Sequence, residues 1–202
     1  MIAERSSLRF ALLIAALTLL SAACGEEEFE FQQSLGFTGT LGLSDVFQAE
    51  AGEPVPFDDE ASVALGVDFL LTELSPELKP YKDQGLFTQL RFDQIKYEIL
   101  ENTLTTDLEA LDVAVGPLGT KDPDAEAAVL IATLPRIEAG QLGTGEATIL
   151  RENAAAASKF IFDLDFASAA GTIITVRQGE PTPGGNLKIK IDMTFTLVAD
   201  PL

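Results

Sequence analysis

The groups that could do chemistry in this chain are carboxylates, hydroxyls, lysines, two tyrosines and one thiol. Among 202 residues there are 32 acidic and 13 basic side chains, no His, no Trp and a single Cys. Without His, imidazole acid–base catalysis and Cys/His nucleophile pairs are excluded. Cys/His zinc sites fall with them. Carboxylate pairs remain, and two of them across a cleft are what glycoside hydrolysis needs. Three acidic clusters stand out: Asp163/Asp165, Asp122-Pro123-Asp124 and Asp58-Asp59-Glu60. Asp163 and Asp165 read as the solvated face of a strand. Asp122-Pro123-Asp124 lacks the third acidic ligand, the Gly and the distal Glu of an EF-hand loop. Asp58-Asp59-Glu60 reads as an exposed turn before a strand.

Other constellations are equally bare. Gly36, Gly39 and Gly42 fall in a strand-like stretch and read as loosened or bulged backbone. Gly140-Gln141-Leu142-Gly143-Thr144-Gly145 has neither the dinucleotide order nor the P-loop order, so no cofactor is implied. Ser158 beside Lys159 is no catalytic dyad if the two are strand neighbours on opposite faces. A net charge of −19 opposes nucleic-acid binding, which needs clustered Lys and Arg against phosphate. No catalytic residue is assigned.

The thiol is different because of where it stands. Arg5 and Arg9 precede an apolar run from Phe10 to Leu20, and Ser21-Ala22-Ala23 lead to Cys24. A basic-tipped start, a short apolar run and small residues form the three-part plan of a secretory signal peptide over residues 1–23. The run is too short for a bilayer span, which takes about 20 apolar residues.

Leu19-Leu20-Ser21-Ala22-Ala23-Cys24 resembles the lipobox of bacterial lipoprotein precursors, with Ser21 where that family most often has Leu. The resemblance covers residues 1–24. It implies cleavage between Ala23 and Cys24, a diacylglyceryl group on the Cys24 thiol and acylation of the new amine. Several acyl chains anchor stably where one does not. Gly25 is not the Asp that holds enteric lipoproteins at the inner membrane, so the expected location is the cell envelope, at the outer membrane in a Gram-negative host. Cleavage takes Glu4, Arg5 and Arg9 away, which leaves 179 residues of net charge −20. Gly25-Glu26-Glu27-Glu28 reads as the start of an acidic tether over residues 24–33, with a reach of at most ~35 Å.

From Ser34 to Leu202 the hydrophobic period is two. Leu187, Ile189, Ile191, Met193, Phe195 and Leu197 alternate with Lys188, Lys190, Asp192, Thr194 and Thr196, so one face is dry and the other wet. Shorter runs repeat the pattern at Leu35/Phe37/Leu41, Val63/Leu65/Val67/Phe69, Ile95/Tyr97/Ile99 and Leu111/Val113/Val115. Further strands are marked at Ala147/Ile149 and Ile173/Ile174/Val176. Val129-Leu130-Ile131, apolar on both sides, predicts a more central strand. Pro- and Gly-rich turns separate these runs. About eight such strands predict a mainly β fold, an antiparallel β-sandwich of the immunoglobulin or fibronectin kind. A membrane barrel is disfavoured, since Trp is absent and only Tyr81 and Tyr97 could contribute to its girdles. The one ambiguous stretch begins at Asn153-Ala154. It predicts a helical turn capped by Asn153 over about 153–159, then a strand through Phe160, Phe162, Leu164 and Phe166. Lys79-Pro80-Tyr81 reads as part of a long connection.

Ile95–Ile99, Asn102-Thr103-Leu104 and Leu111-Asp112-Val113 together resemble the strand–Asn-turn–strand of late-embryogenesis-abundant type 2 and fibronectin-like domains. That likeness covers about 25 residues and implies a β-sandwich with a binding or protective role. The expectation is therefore a lipid-anchored envelope protein whose non-catalytic sandwich is an interaction or structural module. It would be held to the membrane by the acyl chains on Cys24 and partnered by another envelope protein. The alternative is a small-ligand or Ca²⁺-binding surface protein, or a carboxylate-based hydrolase.

Overall fold

The computed structural model describes residues 28–43, 46–47 and 50–202. The expected signal peptide, its cleavage site at Ala23 and Cys24 lie outside them. Among the described residues, nine strands form two antiparallel sheets. One sheet holds β1 (Phe29–Gly42), β9 (Asn186–Ala199), β3 (Phe87–Asn102) and β6 (Gly143–Glu146), in that spatial order. The other holds β2 (Asp59–Leu70), β8 (Asp165–Val176), β4 (Leu111–Gly116), β5 (Val129–Leu134) and β7 (Thr148–Ile149). This is the antiparallel β-sandwich that the alternation predicts. The long C-terminal strand sits between β1 and β3 because its apolar residues, Leu187 through Leu197, can all face the opposite sheet.

Phe166 and Phe195 meet from opposite sheets at a ring separation of 6.3 Å, and Phe69 and Phe92 extend the cluster on either side. All four rings are buried. Edge-to-face packing of such rings adds to the area they take from water.

Ala147 is the only residue between β6 and β7, so one short segment changes sheets. Glu146 pairs with Lys96 of β3, and Thr148 pairs with Thr133 of β5. That corner closes one side of the sandwich; β1 and β2 flank the opposite side as outermost strands.

Four expectations need correction. The tether is shorter than expected: Phe29–Gln33 already form ladder rungs against Phe195–Ala199. The period-two pattern runs back through Phe31 and Phe29, and their rings find Tyr81 to pack on. Second, the strand expected from Phe160 begins only at Asp165. Helix α3 (Ala154–Ile161) carries on past the alanines, with Ala157 and Ile161, four apart, both fully buried on its inner side. Leu164 then breaks the chain direction at φ 63°. Asn153 does not cap this helix. Its side-chain amide donates to the Leu130 carbonyl at 2.8 Å, which pins the helix start to β5.

Third, β5 is next to the sheet edge rather than central, because β7 offers it only two pairs. α3 and the turn before it lie against β5, where Asn153 donates to the Leu130 carbonyl. Fourth, Gly36, Gly39 and Gly42 lie in an unbroken ladder, not a bulge. A Cβ at Gly39 would meet Leu65 at 2.8 Å, so this glycine lets β2 approach β1. The connection through Lys79-Pro80-Tyr81 is long, as expected, but it winds into α1 (Leu71–Leu74), a 3₁₀ turn and α2 (Lys79–Asp83).

The connection after β4 folds back over the outer face of β2. Ser62 donates to Asp122 at 2.8 Å, and the Gly119 amide donates to Asp68 at 2.8 Å. Between these fasteners a Cβ on Gly66 would lie 2.5 Å from the Thr120 carbonyl oxygen and 2.6 Å from the Lys121 Cα. Backbone cannot rotate away as a side chain can. Gly66→Ala is therefore expected to lift this loop and to cost about 1–3 kcal/mol, read by urea denaturation.

Candidate functional site

Each acidic cluster is spent on fastening a loop. Asp122 accepts from Ser62 and from the Asp124 amide, at 2.8 and 2.9 Å. Asp58 accepts from the Gln178 amide at 2.8 Å, and Asp59 accepts from the Glu60 amide at 2.9 Å. Asp163 and Asp165 do not share a strand face, because Asp163 lies in the turn after α3. Asp165 accepts from the Thr72 hydroxyl at 2.7 Å and from its amide at 3.2 Å, which ties the start of β8 to α1. Ser158 and Lys159 lie on α3, not on a strand; Ser158 donates to the Ala155 carbonyl, and the Lys159 ammonium sits 4.6 Å from the Phe160 ring centre. Among the described residues, no three Asp, Glu, His or Cys stand close enough to hold a metal ion.

The turn after β3 keeps its Asn. Asn102 accepts from the Leu104 amide and donates to the carbonyls of Glu138 and Gln141, so the chain leaves one sheet for the other at a fixed angle. Nearby, the Ala139 amide and Arg136 hold the Asp107 carboxyl below its ordinary range. Asp107 is solvated there, so the pair fastens two loops rather than forming a reactive acid. A depressed carboxyl contributes stability above its unfolded pKa, lost as the pH falls through its folded one.

An open groove of about 470 Å³ runs between α3 and the first half of β3. Arg91, Arg151, Glu152 and Ser158 line its polar side, and Leu90 and Phe162 its apolar side. Arg91 is already bound to Asp93 at 3.0 Å and to Glu30 at 3.5 Å, and these partners raise its pKa. Arg151 is exposed and makes no ion pair among the described residues. No buried side-chain polar atom among them lacks a partner. The groove therefore has no unsatisfied buried group aimed at a ligand.

No family model and no curated protein sequence matches the chain. Solved structures resemble it only loosely. One from turnip yellow mosaic virus is 12% identical, with 95% of this chain and 92% of that chain covered and a TM-score of 0.31. One from desmodium yellow mottle tymovirus is 12% identical, covering 100% and 98%, with a TM-score of 0.24. A semi-empty particle of the Macrobrachium rosenbergii nodavirus gives 8%, 89% and 98%, with a TM-score of 0.30. The fold stands on the strand order and registers above, and nothing of these viruses is transferred.

Two features were hidden in the sequence. One is the aromatic cluster where the chain enters the domain. Tyr81 lies 4.8 Å from Phe31, 6.3 Å from Phe29 and 6.3 Å from Phe87 by ring centres, and Phe87 lies 5.5 Å from Phe162. Its signal was the continuation of alternation through Phe29 and Phe31. The other is the outer edge of β1, which among the described residues pairs only with β9. No motif marks an edge strand, because edges are defined by partners distant in sequence.

Ca²⁺ distinguishes a loop-fastening role for the acids from a cation site. Thermal melting with and without millimolar Ca²⁺ is expected to give the same Tm. An upward shift would show native-state binding and restore the cation reading.

Proposed function

We propose that this chain is a lipid-anchored protein of the bacterial cell envelope. On this reading the signal peptide of residues 1–23 is removed, and acyl chains on Cys24 hold the sandwich to the membrane, the outer membrane in a Gram-negative host. The sandwich is a non-catalytic module for interaction or structure, and its partner is another envelope protein. The observation that carries the reading is positional. The chain's one thiol follows three small residues and stands five residues before Phe29, where the first strand begins. That span reaches at most ~17 Å when extended, so the domain would be held against its membrane rather than displayed at a distance.

The test is the intact mass of the protein extracted from membranes with detergent. A chain that begins at Cys24 and carries the added mass of two or three acyl groups is expected. An unmodified chain that begins at Cys24 would instead mean an ordinary cleavage site and a free thiol.

A further inference from the structure

We propose that the partner of the β1 edge is a second copy of this chain, paired antiparallel, β1 against β1, about a centre at Gly36. The inference gives the interaction module a partner and rests on that reading only for its setting.

Charge is unevenly spread along the chain. After residue 25 the two longest stretches without a charged side chain are Phe31–Ser44, 14 residues, and Phe166–Val176, 11 residues. The second is β8, which is paired on both sides and buried from Phe166 to Gly171. Burial explains its neutrality. The first is β1, an outermost strand whose alternate residues Gln32, Ser34, Gly36, Thr38, Thr40 and Gly42 are all exposed. Within one copy Asp192 keeps Gly36 small and Thr194 bonds Ser34, but burial does not account for the neutrality of Gln32, Thr38 or Thr40, which are exposed.

Edges are normally blunted by charges, prolines, bulges, shortness or a covering loop. β2 carries Glu60 and Asp68 and lies under the connection after β4. β6 and β7 are only four and two residues long. The unpaired half of β3 is interrupted by register shifts near Phe87 and Phe92. β1 has only Glu30, at its second residue; the rest runs in constant register with β9 over 14 residues, without Pro or Lys. Its backbone N–H and C=O groups on the side away from β9 meet no strand among the described residues and can accept a further one.

The occupant follows from the same charges. Two bodies of net charge −19 repel everywhere except along a neutral strip, and β1 is that strip. Centred on Gly36, antiparallel pairing sets Glu30 against Gly42 of the second copy, Gln32 against Thr40 and Ser34 against Thr38. No like charges oppose one another, and hydroxyl and amide side chains face each other across the seam. The two Phe29 residues would lie about 45 Å apart, so two tethered copies would rest with β1 along the membrane plane.

The test uses the full chain in mild non-ionic detergent, with mass measured by sedimentation. The wild type is expected to be a dimer at micromolar concentration. In S34E/T38E, Glu would oppose Glu twice, and dimer affinity should fall roughly tenfold or more with an unchanged circular dichroism spectrum. In S34K/T38E, Lys opposes Glu and the dimer should persist. Should a variant fail to fold, hydrogen exchange of the wild type decides: amides of residues 30–42 should lose protection on dilution. A wild type that is monomeric, a dimer indifferent to S34E/T38E, or exchange independent of concentration would each overturn the proposal. Acylation is read separately by mass, so a failed anchor and a failed pairing cannot be confused.

Discussion

A Cys24→Ala protein is expected to lose its acyl groups entirely, and this is the largest effect foreseen. The thiol is the only nucleophile of its kind in the chain, so no second residue can take the thioether. Without it the diacylglyceryl group has no acceptor. A protease that requires the modified cysteine then has no substrate, and residues 1–23 remain attached. The measurement is fractionation with intact mass: an unacylated, uncleaved chain is expected. The sandwich itself should be unaffected, because Cys24 lies outside the ladder that starts at Phe29. A Cys24→Ala chain that remains acylated and of mature length would refute the anchor.

Phe195→Ala is expected to be the most damaging single change within the domain. Its ring is fully buried on the strand that joins β1 to β3, and it meets Phe92 on its own sheet and Phe166 on the other, each at 6.3 Å. Truncation would leave a cavity lined by rings that belong to both sheets, and these cannot collapse without moving the ladders. The expected cost is about 3–5 kcal/mol, read as a lowered urea midpoint at unchanged slope. Phe57, nearly half exposed, provides the contrast, and Phe57→Ala should have little effect.

How much of this was legible in the sequence depended on how local the determining contacts are. The alternation from Leu187 to Leu197 identifies a strand because one face is buried along its whole length. The same rule fails at Phe160 and Phe162. Helix propensity from the preceding alanines competes there, and only the fit of Ala157 and Ile161 into the core decides the outcome. β5 looked central because Val129, Leu130 and Ile131 are all apolar; the two-residue β7 that leaves it next to the edge lies about 15 residues later. The edge status of β1 depends on a partner about 160 residues away in the chain. No local pattern reports such a distance. Carboxylate clusters carry little information in so acidic a chain, where they arise everywhere; here they close Asx turns and hold loops. The lipid anchor proposed at Cys24 rests on a wholly local signal, the run from Leu19 to Cys24.

The central claim is that the sandwich works by engaging a protein rather than by chemistry. Its most direct test is crosslinking of the wild-type protein in its native envelope, with the captured species identified by mass spectrometry. A crosslinked product of defined mass in near-stoichiometric yield, whether with a second copy or another envelope protein, is the predicted result. Recovery of only single, uncrosslinked chains from a folded and acylated population would contradict it.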